Sequence, residues 1–288
     1  MLGEQFCHIR ISIVYRGRAI PLVWKTIKHH SSSVALDSYQ DLLDEAAKIL
    51  PPRANIIFLA DRGFADTKLM RYLSETLHWH WRIRIKSSFS VHRRNRQAIK
   101  ISHISLKRGH ARFWHKVYIT EKQFGTVYLA LAKPHGTTES WLIVSDQPTN
   151  RDTFDDYGLR FDIEENFLDD KSGAFQLESS LFRSADVISR LVLILAMATL
   201  FLVSQGTDVV ESDKRRWVDA HWFRGNSYLK IGWKWVLRAL VKGFELVTRF
   251  RLSPAPDPDP AKASKKQKKK QKLSIYTVVY QPYETLPI

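Results

Sequence analysis

The segment Ala54-Asn-Ile-Ile-Phe-Leu-Ala60, followed at once by Asp61-Arg62-Gly63-Phe64, constrains this chain's fold more than any other stretch. The unbroken apolar run Ile56 to Ala60 includes β-branched Ile56 and Ile57 and lacks alternation. It predicts a strand buried on both faces, the kind found in α/β sheets covered by helices. Asp61 then stands at the strand's carboxyl end, Gly63 permits a sharp turn, and a helix starts near Asp66 or Thr67. In open α/β sheets ligands gather at the carboxyl ends of strands. Asp61 is therefore a candidate metal ligand, although standing alone it reads as a helix-capping or loop aspartate.

The flanking sequence extends the α/β pattern. Cys7 to Tyr15 alternates and is β-branched, Gly17 marks a turn, and Ala19 to Thr26 returns as a second strand. Ser38 to Leu50 carries Leu42, Leu43, Ala46, Ala47 and Leu50 at helical spacing and is stopped by Pro51-Pro52. A helix over about 67–76 and a strand over His80 to Lys86 follow.

Residues 87–145 change character. Short alternating runs (Ala98 to Ile104, Ala111 to Ile119, Thr126 to Ala132, Ser140 to Val144) are separated by Gly-containing turns, which predicts a β-rich insertion. Its Arg93, Arg94, Arg96, Lys100, Lys107, Arg108, Arg112 and Lys116 stand among Phe113, Trp114 and Tyr118. Such cations meet phosphates, and an aromatic ring such as Trp114 can stack on a base drawn from a duplex. The same residues also suit a basic sheet face with aromatic core residues.

Beyond the insertion lies Tyr157-Gly158-Leu159-Arg160-Phe161-Asp162-Ile163-Glu164, with Lys171 seven residues on. On a continuous helix Tyr157, Arg160, Glu164 and Lys171 fall within about 60° of one another. A hydroxyl, a guanidinium, a carboxylate and an ammonium then share one face, suited to a divalent metal and a phosphate. Taken alone, the stripe also reads as a solvated face laced by i,i+4 pairs. The neighbouring Glu165 points about 100° away.

After Lys171 the pattern is helical, over Leu181 to Val203 and His221 to Val241, with Trp217, Trp222, Trp233 and Trp235 expected as packing anchors against the sheet. The apolar run Leu191 to Val203 has 13 residues and contains Thr199, too short to span a bilayer, so it is read as a buried core helix. Residues 253–260, Pro-rich, read as a stiff linker, and Lys262 to Lys272, with seven lysines, as a disordered basic arm. The chain has 45 Lys and Arg against 29 Asp and Glu, a net +16, of which +9 remains without that arm. Such charge favours a polyanionic partner and fast, salt-sensitive association. The single Cys7 rules out an internal disulfide and suits the reducing cytoplasm. No secretory leader is visible, and the histidines lack Cys partners or ligand spacing, so they are read as structural or phosphate-facing.

The strand ending Asp61-Arg62-Gly63-Phe64, joined downstream by Tyr157-x2-Arg160-x3-Glu164-x6-Lys171, resembles the insertion-sequence transposases with a DDE catalytic core, in their bacterial Y-R-E-K branch. Gly17 to Trp24 and Trp81 to Lys86 resemble the family's flanking strands, and the resemblance spans roughly residues 5 to 240. It implies an α/β, RNase H-like mixed sheet with flanking helices, interrupted by a β-rich insertion, and a helical C-terminal part. The implied organisation is 1–86 as the first part of the catalytic core, 87–145 as the insertion, 146–250 as the second part, and 251–288 as linker, arm and tail. The implied chemistry is two-metal phosphoryl transfer on double-stranded DNA with Mg²⁺ or Mn²⁺, by a cytoplasmic, nucleoid-associated homodimer with no membrane partner. Asp61 and Glu164 are the implied catalytic and metal-holding carboxylates. Tyr157, Arg160, Lys171, Arg62 and Trp114 are the implied DNA contacts.

The resemblance also implies a third carboxylate, an Asp on the first sheet strand, just ahead of the segment like Leu2 to Tyr15. Glu4 has no apolar strand before it, and Asp37, Asp41 and Asp44 lie in or beside a helix. The expectation is a chain lacking its first strand, first catalytic Asp and end-recognition domain, poorly stable and unable to cleave DNA alone. A non-catalytic DNA-binding remnant, a repressor of transposition and another RNase H-like nuclease are the competing readings.

Overall fold

The computed structural model describes residues 6–29, 34–93, 97–135, 139–168, 184–260 and the backbone of 278–281. The chain divides into two compact units, one formed by 1–32 with 159–263 and the other by 33–158 with 264–288.

The first unit begins with the expected hairpin. Strands β1 (Phe6–Tyr15) and β2 (Arg18–Lys28) pair antiparallel about a turn in which Arg16 and Gly17 take positive φ. Helices α4 (Phe161–Leu168) and α5 (Ala185–Glu211) pack on this hairpin, and α6 (Tyr228–Lys242) packs on α5. Ile20 of β2 joins Leu202, Val203, Val209, Tyr228, Ile231 and Trp235 in one core. The α5–α6 crossing is close because two glycines meet it. A methyl at Gly206 would overlap the carbonyl of Tyr228, and one at Gly232 the carbonyl of Leu202.

Several sequence expectations change here. The α5 helix runs to Glu211 and is a half-buried core helix: Val192, Leu195, Thr199 and Val203 face inward, while Leu193, Ile194 and Met197 are exposed. It is also long and apolar enough to cross a membrane by length and composition alone, a test that core helices pass as well. The α6 helix starts only at Tyr228, capped by Ser227, and ends at Gly243 with φ 69°. Of the four tryptophans expected as anchors, Trp235 is buried, whereas Trp222 is 75% exposed and Trp217 and Trp233 are also exposed. Residues 253–260 are not a free spacer. Asp257 accepts from Arg224 and from the Tyr228 hydroxyl, and Asp259 pairs with Arg215 at 2.7 Å. Prolines set the path of this segment, but its aspartates dock it.

The second unit is a mixed sheet in the order β3 (Ile57–Ala60), β4 (His80–Arg84), β9 (Trp141–Ser145), β8 (Phe124–Lys133), β7 (His110–Ile119), β5 (Ser90–His92), β6 (Ile99–Lys100). β3 and β4 are parallel, and the pairs from β4 to β6 are antiparallel. A further strand, β10 (Val278–Gln281), runs parallel to β7, in the segment expected as a tail. The insertion is β-rich as expected, and its strands continue the sheet of β3 and β4. Helix α1 (Gln40–Ile49) buries Leu42, Leu43 and Ala46, and α2 (Thr67–Glu75), capped by the Asp66 carboxylate, buries Leu69, Met70 and Leu73. Helix α3 (Asp152–Gly158) lays Phe154 and Tyr157 on Ala111, Phe113, Ala130, Ala132 and Ile143.

The β3 expectation fails in one respect. The strand lies at the end of the sheet order, with Ile57 37% exposed and Phe58 and Leu59 half-buried, not covered on both faces. Apolar runs report burial poorly at a sheet edge, because pairing on one side only leaves part of each side chain in solvent.

Candidate functional site

Asp61 follows β3 in extended conformation and caps a single 3₁₀ turn over Arg62–Phe64. Its Oδ1 accepts the Gly63 N–H at 2.7 Å. Gly63 has no left-handed φ, and a Cβ there would lie 3.0 Å from Asp61 Oδ1, crowding the carboxylate. Phe64 closes the turn edge-on against the buried Tyr39 ring, with centroids 5.5 Å apart. The half-buried carboxylate is thus held by one oxygen, leaving the other for a ligand.

The β3–β4 register sets what stands beside it. Ala60 is level with Ile83, so continuing the ladder by one residue puts Asp61 level with Arg84, on the same face as Leu59 and Arg82. Arg84 donates to Glu139 Oε2 at 2.6 Å and to the Ser140 carbonyl at 3.2 Å. Arg62 lies 3.8 Å from Glu139 Oε1. Arg82, two residues before Arg84, pairs with Asp156. From sequence, Trp81 to Lys86 reads only as a flanking strand. The signal was present, since alternation in Arg82-Ile83-Arg84-Ile85 puts both guanidiniums on one face.

The second candidate segment is not one helix. Helix α3 ends at Gly158, Leu159 and Arg160 form a turn, and α4 begins at Phe161. The single-face stripe therefore breaks after its first member. Tyr157, 1% exposed, belongs to the core of the second unit with Trp141 and Phe154 as aromatic neighbours. Arg160 and Glu164 belong to the first unit, where Arg160 donates to Glu164 Oε1 at 2.6 Å. The guanidinium is buried, lying 5.0 Å from the Phe161 ring centroid, while the Glu164 side chain is 57% exposed. Glu165 approaches Arg18 at 4.0 Å. Burial raises the Asp162 carboxyl, with Arg18 opposing and Glu165 adding to the shift. Lys171 lies outside the described residues.

In the insertion, Lys100, Lys107, Arg108 and Lys116 are exposed and Arg112 is half-buried, whereas Phe113 and Trp114 are buried. Arg93 covers the Trp114 ring at 4.9 Å, so stacking on a base would require that ring to come out from under the guanidinium. Arg94 and Arg96 lie outside the described residues. Three histidines serve structure: His80 pairs with Asp146, His8 with the Thr26 hydroxyl, and His115 with the Thr149 carbonyl.

Asp61 and Glu164 offer the hard oxygen donors that suit Mg²⁺ or Mn²⁺. Among the described residues no three acidic, His or Cys side chains gather closely enough to hold an ion. A protein-family model described as a transposase DDE domain matches residues 3–201, a span that includes both carboxylates. A search of curated proteins gave no match.

Proposed function

The chain belongs to the DDE transposase family, and we propose that it derives from enzymes of the Y-R-E-K branch that carry out phosphoryl transfer at insertion-sequence ends, and that it engages double-stranded DNA through the residues of that site. The observation that carries this reading is that the matched span contains a strand-end carboxylate beside arginines and a second carboxylate ion-paired to a buried arginine. The fold is consistent with the family's RNase H-like core.

In this proposal Asp61 and Glu164 would offer oxygens to divalent metal, which would supply activation of a water or 3′-hydroxyl and stabilisation of the leaving oxygen. Arg160 aims Glu164 and is available to a phosphate once that carboxylate turns away. Arg62 meets the strand beside Asp61. Lys171 completes the phosphate contacts, Tyr157 supports them from the core beneath α3, and Trp114 is the stacking candidate. Two copies bridge the two ends of an element.

The two named carboxylates are one fewer than the family chemistry uses. We therefore propose that this chain by itself binds DNA but does not cleave it, the behaviour of a DNA-binding remnant or repressor. A gel assay on duplexes carrying the element's ends, with Mg²⁺ or Mn²⁺, should give retarded complexes and no nicked strand. Metal-dependent nicking would refute the inactivity, and failure to bind any duplex would refute the DNA reading.

A further inference from the structure

We propose that Glu139 is a built-in stand-in for a DNA phosphate: in the free protein it occupies an anion site formed by Arg62 and Arg84 beside Asp61. This rests on the transposase reading and adds to it an autoinhibitory contact at the same strand end.

The geometry is that of a bridged oxyanion. One carboxylate oxygen accepts from Arg84 at 2.6 Å, and the other faces Arg62 at 3.8 Å. Two guanidiniums thus share one carboxylate, and Arg84 and Asp61 each stand one step beyond the last β3–β4 pair, Ile83 and Ala60. Arg84 is itself preorganised. Its side chain is 16% exposed, and a second bond to the Ser140 carbonyl fixes the guanidinium. Glu139 and Arg62 are different, with side chains 56% and 57% exposed. Ion pairs open to water are weak, so Glu139 is displaceable by another anion. A phosphodiester carries the same single charge and offers the paired oxygens that a guanidinium fork accepts. The arginines also hold the Glu139 carboxyl below the usual carboxylate range, chiefly through the Arg84 hydrogen bond, so the latch stays ionised.

The functional consequence is discrimination. A chain of net +16 binds any duplex through its charge. An internal carboxylate in the arginine pair beside Asp61 makes DNA compete for that position, and only a strand seated at Asp61 wins it. Duplex held elsewhere on the basic surface leaves the latch closed.

The test uses the full chain, a short random-sequence duplex with a fluorescent end, and anisotropy titrations over a salt series. Glu139→Gln should bind roughly three- to tenfold tighter than wild type, with a log–log salt slope steeper by about one phosphate contact. Adding Arg84→Gln should erase that gain. Glu75→Gln, which removes an equal charge from an exposed site on α2, should produce much less. Glu139→Ala, read in parallel, guards against an effect peculiar to glutamine. The inference is overturned if neither Glu139 variant binds tighter, if the gain survives Arg84→Gln, or if Glu75→Gln matches it. If wild type binds no duplex at any salt, the transposase reading itself falls, and the latch with it.

Discussion

Asp61 directly follows a strand whose ladder to β4 runs to the pair Ala60 and Ile83, whereas Glu164 sits in the first turn of the eight-residue helix α4. Around that helix the first unit buries polar groups that the second largely avoids. His8 Nε2, Ser12 Oγ, Thr199 Oγ1 and both amide atoms of Asn166 are buried with no hydrogen-bond partner among the described residues. A buried polar atom left unpaired carries a penalty of about 1–3 kcal/mol. The contrast teaches that one carboxylate is placed by backbone register and the other by a marginal local fold. The unit holding Glu164 should therefore be the first to open.

The sharpest way to break that contrast is to damage the better-packed unit. Tyr157→Ala should remove about 3–5 kcal/mol, because it empties a fully buried site under α3, with hydrogen exchange rising across β7 to β9. A loss below about 1 kcal/mol would mean that Tyr157 is not the core residue described. Next, Gly232→Ala should lower stability by about 1–3 kcal/mol, since its methyl meets the Leu202 carbonyl of α5. Exchange should then rise in α5 and α6 and leave β7 to β9 protected. Equal loosening in both units would break the comparison.

His8 separates the units by pH. Burial, aided by nearby Arg10, pushes its pKa down to about 3, so the folded unit holds it neutral while the unfolded chain protonates near 6.5. Stability from this group is complete above about pH 6.5 and falls as pH drops towards 3, by at most about 1.4 kcal/mol per pH unit. Urea midpoints of His8→Phe should accordingly slope less over that window than those of wild type. Parallel slopes would contradict the burial. The smallest expected effect is favourable: Asn166→Leu should raise stability by about 1 kcal/mol, by removing an amide that has no partner among the described residues. A clear loss instead would show that the amide has a polar partner.

The hairpin, β4 and the long insertion strands were legible because alternation and turn residues report strands directly. The carboxyl-end position of Asp61 was legible for the same reason. The edge position of β3 was not, since a run of apolar residues says nothing about how many neighbours a strand has. The stripe from Tyr157 to Glu164 misled because 100° per residue presumes an unbroken helix, and Gly158 ends one. Docking of 253–260 was hidden for a different reason: proline content suggests a spacer, while the partners of Asp257 and Asp259 lie some thirty to forty residues earlier, at Arg215, Arg224 and Tyr228. Arg84 was readable from strand periodicity, but its link to Glu139 crosses 55 residues of chain.

The central claim is that the end of β3 brings metal and DNA together at Asp61. Calorimetric titration of Mn²⁺ into the complex of the full chain with duplex DNA tests it most directly. Wild type should take up Mn²⁺, and Asp61→Asn should lose that uptake while still binding the duplex. Asp146→Asn, altering a carboxylate that pairs with His80 in the same unit, should retain it. Undiminished Mn²⁺ uptake by Asp61→Asn would contradict the account.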